Sequence, residues 1–286
     1  MEPKLEPLTR GISELEALDG PSGKVQELTK KFVPQDSDLK DFLSGTWLGH
    51  PLHPPLTDVV VGTWAAASIL DLLAPISGRK AADRLIFVGI LTAVPTAASG
   101  LSDWAELYGP QQRIGLVHAS GNVAATYLQM KSWWARKRGK RFKGVVLSLS
   151  AMGIATVTAY LGGHLSFRKG VGVDNTAFEP WPEDFKAVKG VKDLPEGQMT
   201  RGQVDGVAVL LYRKGATIHA LSDRCTHRGC SLSDGETDGS AVTCPCHGSR
   251  FRLEDGHVIQ GPAIAPAKSF QVRERNGKVE VRLPAS

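Results

Sequence analysis

Two short boxes toward the C-terminal end, Cys225-Thr226-His227-Arg228-Gly229-Cys230 and Cys244-Pro245-Cys246-His247-Gly248-Ser249, hold all four cysteines of the chain. Within them Cys225, His227, Cys244 and His247 form the pattern C-x-H-x16-C-x-x-H, which delivers two thiolates and two imidazoles from two loops. Thiolates hold ferric iron well, and placing neutral imidazoles on the second iron of a two-iron cluster raises its reduction potential. The set predicts a 2Fe-2S centre and one-electron transfer. A structural zinc site uses the same ligand types tetrahedrally. However, the single-residue gap in Cys225-x-His227 is tighter than the roughly two to four residues of zinc pairs, and one zinc leaves Cys230 and Cys246 without a use.

Each of those two cysteines shares a loop with a ligand pair, so a bridge between them would tie the loops together. Closing a loop of that size stabilises by about 3 kcal/mol in the chain-entropy treatment. Disulfides persist in oxidising compartments, so a bridge predicts an extracytoplasmic location, whereas two free thiols would predict nothing about compartment.

The two boxes resemble the cluster-binding loops of the Rieske iron-sulfur subunits of cytochrome bc-type quinol oxidases, and Gly261-Pro262-Ala263 is similar to that family's proline loop. The resemblance covers roughly residues 183 to 284. It implies that Cys225 and Cys244 ligate one iron, that His227 and His247 ligate the other, and that Cys230 bonds Cys246. The family's high-potential members carry a tyrosine two residues after the serine, and here that position is Phe251. Ser249 keeps a hydroxyl for a cluster sulfur and Phe251 has none, which predicts a potential below the top of the Rieske range, roughly +300 mV. Around the boxes the sequence reads as a small all-β domain. Val207 to Tyr212 and Thr217 to Ser222 are β-rich runs joined at Lys214-Gly215, and Phe270 to Arg273 meets Val279 to Leu283 across Asn276-Gly277, a strong hairpin signal. His219 and His257 read as solvent-facing positions of this frame.

The upstream part of the chain is of another kind. Apolar segments fall at about 54 to 76, 85 to 102, 114 to 133 and 144 to 165, the last without a single Asp, Glu, Lys or Arg. Such lengths suit a bilayer core, although Asp58 and Asp71 interrupt the first, and a soluble bundle is the alternative. A mean hydropathy of -0.13 averages this apolar half with a polar half. The expected fold class is an α + β multidomain chain, a four-helix transmembrane bundle followed by an all-β Rieske domain. Its divisions are 1–45, a polar segment with short amphipathic helices; 46–167, the four-span domain; 168–182, a linker rich in Gly, Pro and charge; and 183–286, the cluster domain.

Charge orients the spans. Arg79, Lys80 and Arg84 lie between the first two, and Lys131, Arg136, Lys137, Arg138, Lys140, Arg141 and Lys143 between the last two, against Arg113 alone between the middle pair. The positive-inside rule puts the basic loops in the cytoplasm and both termini and the Rieske domain outside, with Trp133 and Trp134 at the inner interface and Trp47, Trp104 and Tyr108 at the outer. The expected location is a bacterial cell membrane, multi-pass. A pI near 9.0 then reflects contact with anionic lipid and calls for no nucleic acid. No cleavable signal peptide is visible at the start, and Lys140-Arg141-Phe142-Lys143 reads as plain anchoring rather than a twin-arginine signal.

On this topology His50, His53, His118 and His164 fall in one leaflet. Ionisable groups within spans are functional hypotheses by default, and imidazoles of facing helices can hold a b-type haem. His53, His118 and His164 lie nearest the spans, and Gly115 and Gly121 flank His118 where a flat macrocycle would need room. The alternative is a rigid, hydrogen-bonded entry turn at Gly49-His50-Pro51-Leu52-His53-Pro54-Pro55 with His118 and His164 as interhelical hydrogen-bond partners, and this segment resembles a bacterial four-helix membrane family of unknown function marked by Gly-His-Pro-x-His-Pro. A mononuclear 2-His-1-carboxylate oxygenase site finds only Asp58 beside His53, which is too little. The expected function is membrane-bound electron transfer through an extracytoplasmic Rieske cluster, with a membrane redox partner or a quinol. A haem-containing relay and a ferredoxin-like donor to a separate oxygenase or reductase are the alternatives.

Overall fold

The computed structural model describes residues 5–284. Seven α-helices, α1 Glu6–Glu14, α2 Asp19–Phe32, α3 Asp38–Ser44, α4 His53–Leu73, α5 Arg79–Trp104, α6 Gly109–Lys137 and α7 Arg141–Gly163, are followed by ten short strands. The chain forms two compact units, one from the residues up to Val33 together with Pro51–Val171, the other from Pro34–His50 together with the chain from Gly172 onward.

In the helical unit, short turns between α4 and α5 and between α6 and α7 make two antiparallel hairpins. Pro54 and Pro55 occupy the first turn of α4, where a missing N–H costs nothing and the fixed φ suits a helix start. Small residues line the interfaces: Ala67, Ala82, Ala125, Ala151 and Ala155 are buried, and Gly89 lies so close to the Trp64 ring that a Cβ would fall 2.2 Å from its Nε1. Close approach through small side chains is how helices pack where lipid removes the hydrophobic drive between them.

Three helices are long and apolar enough to cross a membrane among the described residues: His53–Leu73, Arg79–Trp104 and Arg141–Arg168, the last including a π-helical turn at His164–Arg168. The expected four-span count is thus met by three. The segment expected at 114 to 133 does form a helix, α6, long enough to span but diluted by Gln112, Arg113, His118, Asn122, Gln129 and Lys131. Several of these polar groups are spent sideways. Arg113 pairs with Asp19, Asn122 accepts from the Thr158 hydroxyl at 2.7 Å, and Gln129 from Ser148 at 3.1 Å. A hydropathy average does not register which way a side chain turns.

At the other end of the same bundle, Asp71 of α4, Asp83 of α5, Arg136 of α6 and Arg141 of α7 form one neutral cluster. Arg136 Nη1 donates to Asp71 Oδ1 at 2.9 Å and to Asp83 at 3.2 Å, and Arg141 reaches Asp71 at 2.6 Å and Asp83 at 2.7 Å. The Asp71 and Arg136 side chains are fully buried. Two cations of the most basic loop are therefore neutralised within the fold.

The second unit is all-β apart from α3 and short 3-10 turns. Strands β1 Lys186–Gly190, β10 Lys278–Arg282 and β9 Gln271–Arg275 form one antiparallel sheet; β2 Met199–Val204, β3 Val207–Lys214 and β4 Thr217–Ser222 a second; β5 Glu236–Thr237, β6 Ala241–Thr243, β7 Arg250–Arg252 and β8 Val258–Gln260 a third. The expected β9–β10 hairpin closes across Asn276 (φ 52°) and Gly277 (φ 73°), positive values that a type I′ turn demands. Two apolar clusters fill the unit. One, around Leu210, Leu221, Leu232, Val242, Phe251 and Leu253, underlies the two boxes and includes Cys225 and Cys244 themselves.

Candidate metal centre

Both boxes are loops with the same backbone. The first follows β4 and the second joins β6 to β7. In each, the N–H of the first residue bonds the carbonyl of the sixth at 2.8 Å (Cys225 to Cys230, Cys244 to Ser249), and the N–H of the fifth returns to the carbonyl of the first (Gly229 to Cys225 at 2.8 Å, Gly248 to Cys244 at 3.1 Å). The fifth residue takes a left-handed φ of 77° in one loop and 75° in the other, which glycine adopts without strain. Gly229 and Gly248 are thus the backbone reason for the matching spacing.

Within this frame Cys225 and Cys244 are buried free thiols, and the His227 and His247 rings meet edge to face with centroids 5.0 Å apart. Cys230 and Cys246 form the expected disulfide, Cα to Cα 6.5 Å, and lock loop to loop. The Sγ atoms of Cys230, Cys244 and Cys246 lie within 4.8 Å of one another, but the bridge uses two of them and leaves Cys244 the available sulfur. His227 Nδ1 is buried without a hydrogen-bond partner. A buried orphan nitrogen costs free energy unless something coordinates it, and two buried thiols beside two rings supply a set that fits a 2Fe-2S cluster.

The electrostatics agree. The Cys225 thiol donates to Cys244, which together with burial holds Cys225 above the usual thiol range. That same bond, aided by the backbone N–H groups of Cys246 and His247, draws Cys244 down to about 6. N–H groups aimed at sulfur favour the thiolate and stabilise added negative charge at a centre bound there. Burial pushes His227 well below the ordinary imidazole range, with the His247, Arg228 and Lys40 charges adding to it, so the ring is a neutral donor.

Several residues without a motif hold the loops. Thr226 Oγ1 donates to Ala265 O at 2.7 Å, and Ser249 Oγ accepts from Ala263 N–H at 3.0 Å, so both boxes are tied to the chain following Gly261-Pro262, whose peptide is cis. Asn175 Nδ2 donates to His227 O at 2.6 Å. From the far end of the sequence, Gln35 donates to His247 O, Asp41 accepts from Gly261 N–H at 2.7 Å, and Thr46 donates to Ala263 O at 3.4 Å. Pairing of this range leaves no periodic trace, although Ser37 as N-cap and Gly45 after the last turn do announce α3 itself.

The bridge is expected to matter for retention rather than identity of the centre. Cys230→Ser with Cys246→Ser forgoes about 3 kcal/mol of loop closure and should shorten the half-life of the visible cluster absorbance on heating. Half-lives equal to the parent's would mean that the loops need no staple.

The membrane histidines behave otherwise than a haem site requires. His53 and His118 do come together, ring centroids 6.4 Å apart, but His53 Nδ1 donates to Thr96 O at 3.0 Å and His118 Nδ1 to Thr158 O at 2.7 Å. A carbonyl only accepts, so each Nδ1 carries the proton; His118 Nε2 then accepts from Asn122 at 3.1 Å, and His53 Nε2 faces the Thr57 hydroxyl at 3.5 Å. The room expected beside His118 is filled, because a Cβ at Gly115 would lie 2.3 Å from Trp104 and one at Gly121 2.4 Å from Thr158. His164 packs near Tyr160, and His50 belongs to the other compact unit. The haem expectation is not supported. His53 and His118 act as interhelical hydrogen-bonding groups, the alternative weighed for His118, whereas His164, for which it was also weighed, has its Nδ1 buried with no hydrogen-bond partner among the described residues.

Comparison with known proteins fits this geometry. The Rieske [2Fe-2S] domain matches residues 184–271, and a predicted membrane protein domain, DUF2231, matches residues 49–175. The 3-phenylpropionate/cinnamic acid dioxygenase ferredoxin subunit of Shigella flexneri is 34% identical over 33% of this chain and 89% of its own length. The cytochrome b6-f complex iron-sulfur subunit of Chlorobaculum tepidum is 33% identical over 34% of this chain and 52% of its own, and human apoptosis-inducing factor 3 is 32% identical over 51% and 24%. The chain thus spans about a quarter of the human relative and about half of the b6-f subunit. By its paired loops, its bridge and these matches, the chain belongs to the Rieske 2Fe-2S family, with an electron-transfer domain that follows a predicted membrane domain.

Proposed function

We propose that this protein is a membrane-bound one-electron carrier whose 2Fe-2S cluster is held by Cys225, His227, Cys244 and His247, with α4 to α7 crossing the membrane and the cluster unit on the extracytoplasmic face. The observation that carries the reading is the convergence of two buried free thiols with two imidazoles, one of which has an orphaned Nδ1, while the other two cysteines are bonded to each other. When bound, the cluster accepts and returns single electrons. The residues present would hold it on two matched loops, with backbone N–H groups directed at the Cys225 and Cys244 sulfurs and apolar packing beneath them. The outward side is supported by the bridge and by the basic loops. Among those, Lys131, Lys137, Arg138, Lys140 and Lys143 remain outside the Asp71 and Asp83 cluster.

Two partners follow from the relatives. A quinol is the first, its electron entering through the histidine side of the cluster. A separate oxygenase or reductase is the second, favoured by the ferredoxin-subunit relative aligned along most of its length and by Phe251, which is buried among apolar side chains and offers no hydroxyl. Cluster-loaded chain in nanodiscs separates them by electron paramagnetic resonance. Dithionite is expected to develop the rhombic signal of a histidine-ligated cluster, and duroquinol to develop it as well. A signal with dithionite and none with duroquinol overturns the quinol reading in favour of the oxygenase-type donor. No signal with either sinks both.

A further inference from the structure

The segment Pro34–His50 stands apart from the site in sequence and yet is part of it in the fold. Its contacts fall on two pieces of the cluster end: Gln35 on the second box, with its Cγ 3.5 Å from where a Cβ of Gly248 would be, and Asp41 and Thr46 on the chain around Gly261. The approach at Gly261 is close. A Cβ there would stand 2.4 Å from Thr46 Oγ1 and 2.9 Å from Asp41 Oδ1. What the segment brings inside is a cation. Lys40, on α3 between Ser37 and Asp41, is only 1% exposed and is among the largest fully buried side chains of the described residues. Lysine almost never becomes fully buried, since desolvating its ammonium is costly. The neighbour of Lys40, Asp41, accepts from Gly261 N–H at 2.7 Å, and Gln35, five residues before Lys40, donates to the His247 carbonyl, so the segment that carries it is fastened to the loops of the ligand set.

We propose that Pro34–His50 is a cap on the cluster loops and that Lys40, carried by it, is an electrostatic tuning residue that raises the reduction potential of the bound centre. The proposal rests on the ligand assignment given above. Reduction adds one electron to the centre and breaks no bond, so the site gains one negative charge. A fixed cation nearby stabilises that reduced form over the oxidised one, and burial keeps salt from screening the effect. Net charge around a cluster is one of the levers that set its potential. Lys40 thus acts opposite to Phe251, which withholds a hydrogen bond.

The test is a redox titration of the cluster-loaded full chain, electrons supplied by dithionite and withdrawn by ferricyanide, followed by the intensity of the reduced-cluster signal. Lys40→Met is expected to reduce the reduction equilibrium at least tenfold, a fall in midpoint of about 59 mV for one electron. Lys40→Gln, which keeps a polar head in the same place, is expected to move in the same direction, and Lys40→Arg to stay near the parent. The fall should persist at high ionic strength, which would erase an effect of surface charge. Full cluster signal with unchanged midpoints in both Lys40→Met and Lys40→Gln would overturn the role of Lys40. Absence of a cluster signal in the parent chain would instead overturn the ligand assignment, so the two failures are distinct.

Discussion

Cys244→Ser is expected to leave a folded chain that carries no cluster: no visible absorbance, no reduced-cluster signal and no bound iron after reconstitution. Cys225→Ser should do the same. Each change removes one of the two buried thiols of the set: Cys244, whose sulfur is favoured as the anion by the Cys225 thiol and the N–H groups of Cys246 and His247, or Cys225, the thiol that donates to it. A serine alkoxide is far more basic and is no substitute for thiolate on iron. The informative contrast is with Cys230→Ser, which breaks the bridge but spares both thiols and should still load cluster. Iron and sulfide assays with circular dichroism separate loss of cluster from loss of fold. A loaded Cys244→Ser chain, or a Cys230→Ser chain as empty as Cys244→Ser, would overturn the division of the four cysteines into two ligands and one bridge.

The second large effect is expected at the charged end of the helical unit. Asp71→Leu removes the carboxylate that accepts from both Arg136 and Arg141, and leaves the fully buried Arg136 with Asp83, 3.2 Å away, as its remaining anion in this cluster. Deleting one partner of a buried pair costs about 3–5 kcal/mol, because the surviving charge stays desolvated. Thermal unfolding in detergent should show that loss. Asp71→Leu combined with Arg136→Met should recover most of it, since the pair is then replaced by apolar groups and Asp83 keeps Arg141 at 2.7 Å. A single variant costing no more than about 1 kcal/mol would show that the pair behaves like an exposed one. The same cluster bears on topology, because Arg136 and Arg141 are the two basic-loop residues whose charge is cancelled inside the fold.

Much of the cluster site was legible because it is written in local spacing. Two six-residue boxes, each with glycine fifth, announce two loops of one conformation. The Asn276-Gly277 turn closes the hairpin its residue types demand. The hydrophobic segments also located the long helices. Their number as apolar spans was less legible, since α6 satisfies its polar residues against neighbouring helices and composition is blind to direction.

The histidines mark where sequence reasoning reached its limit. Four imidazoles expected near one membrane face suggested a haem, but what decides between ligand and structural group is the atom opposite each ring nitrogen. For His53 and His118 those atoms are helix carbonyls, an amide and a hydroxyl. By itself, the sequence determined the cluster chemistry and the presence of apolar helices, because ligand type, spacing and hydropathy are properties of short stretches. Only the tertiary structure decided that Asp41 meets Gly261 across 220 residues, that Lys40 is buried at the cluster end and that the space beside His118 is filled by Trp104 and Thr158. Those outcomes depend on side chains converging from distant parts of the chain, and no periodicity within either part encodes the meeting.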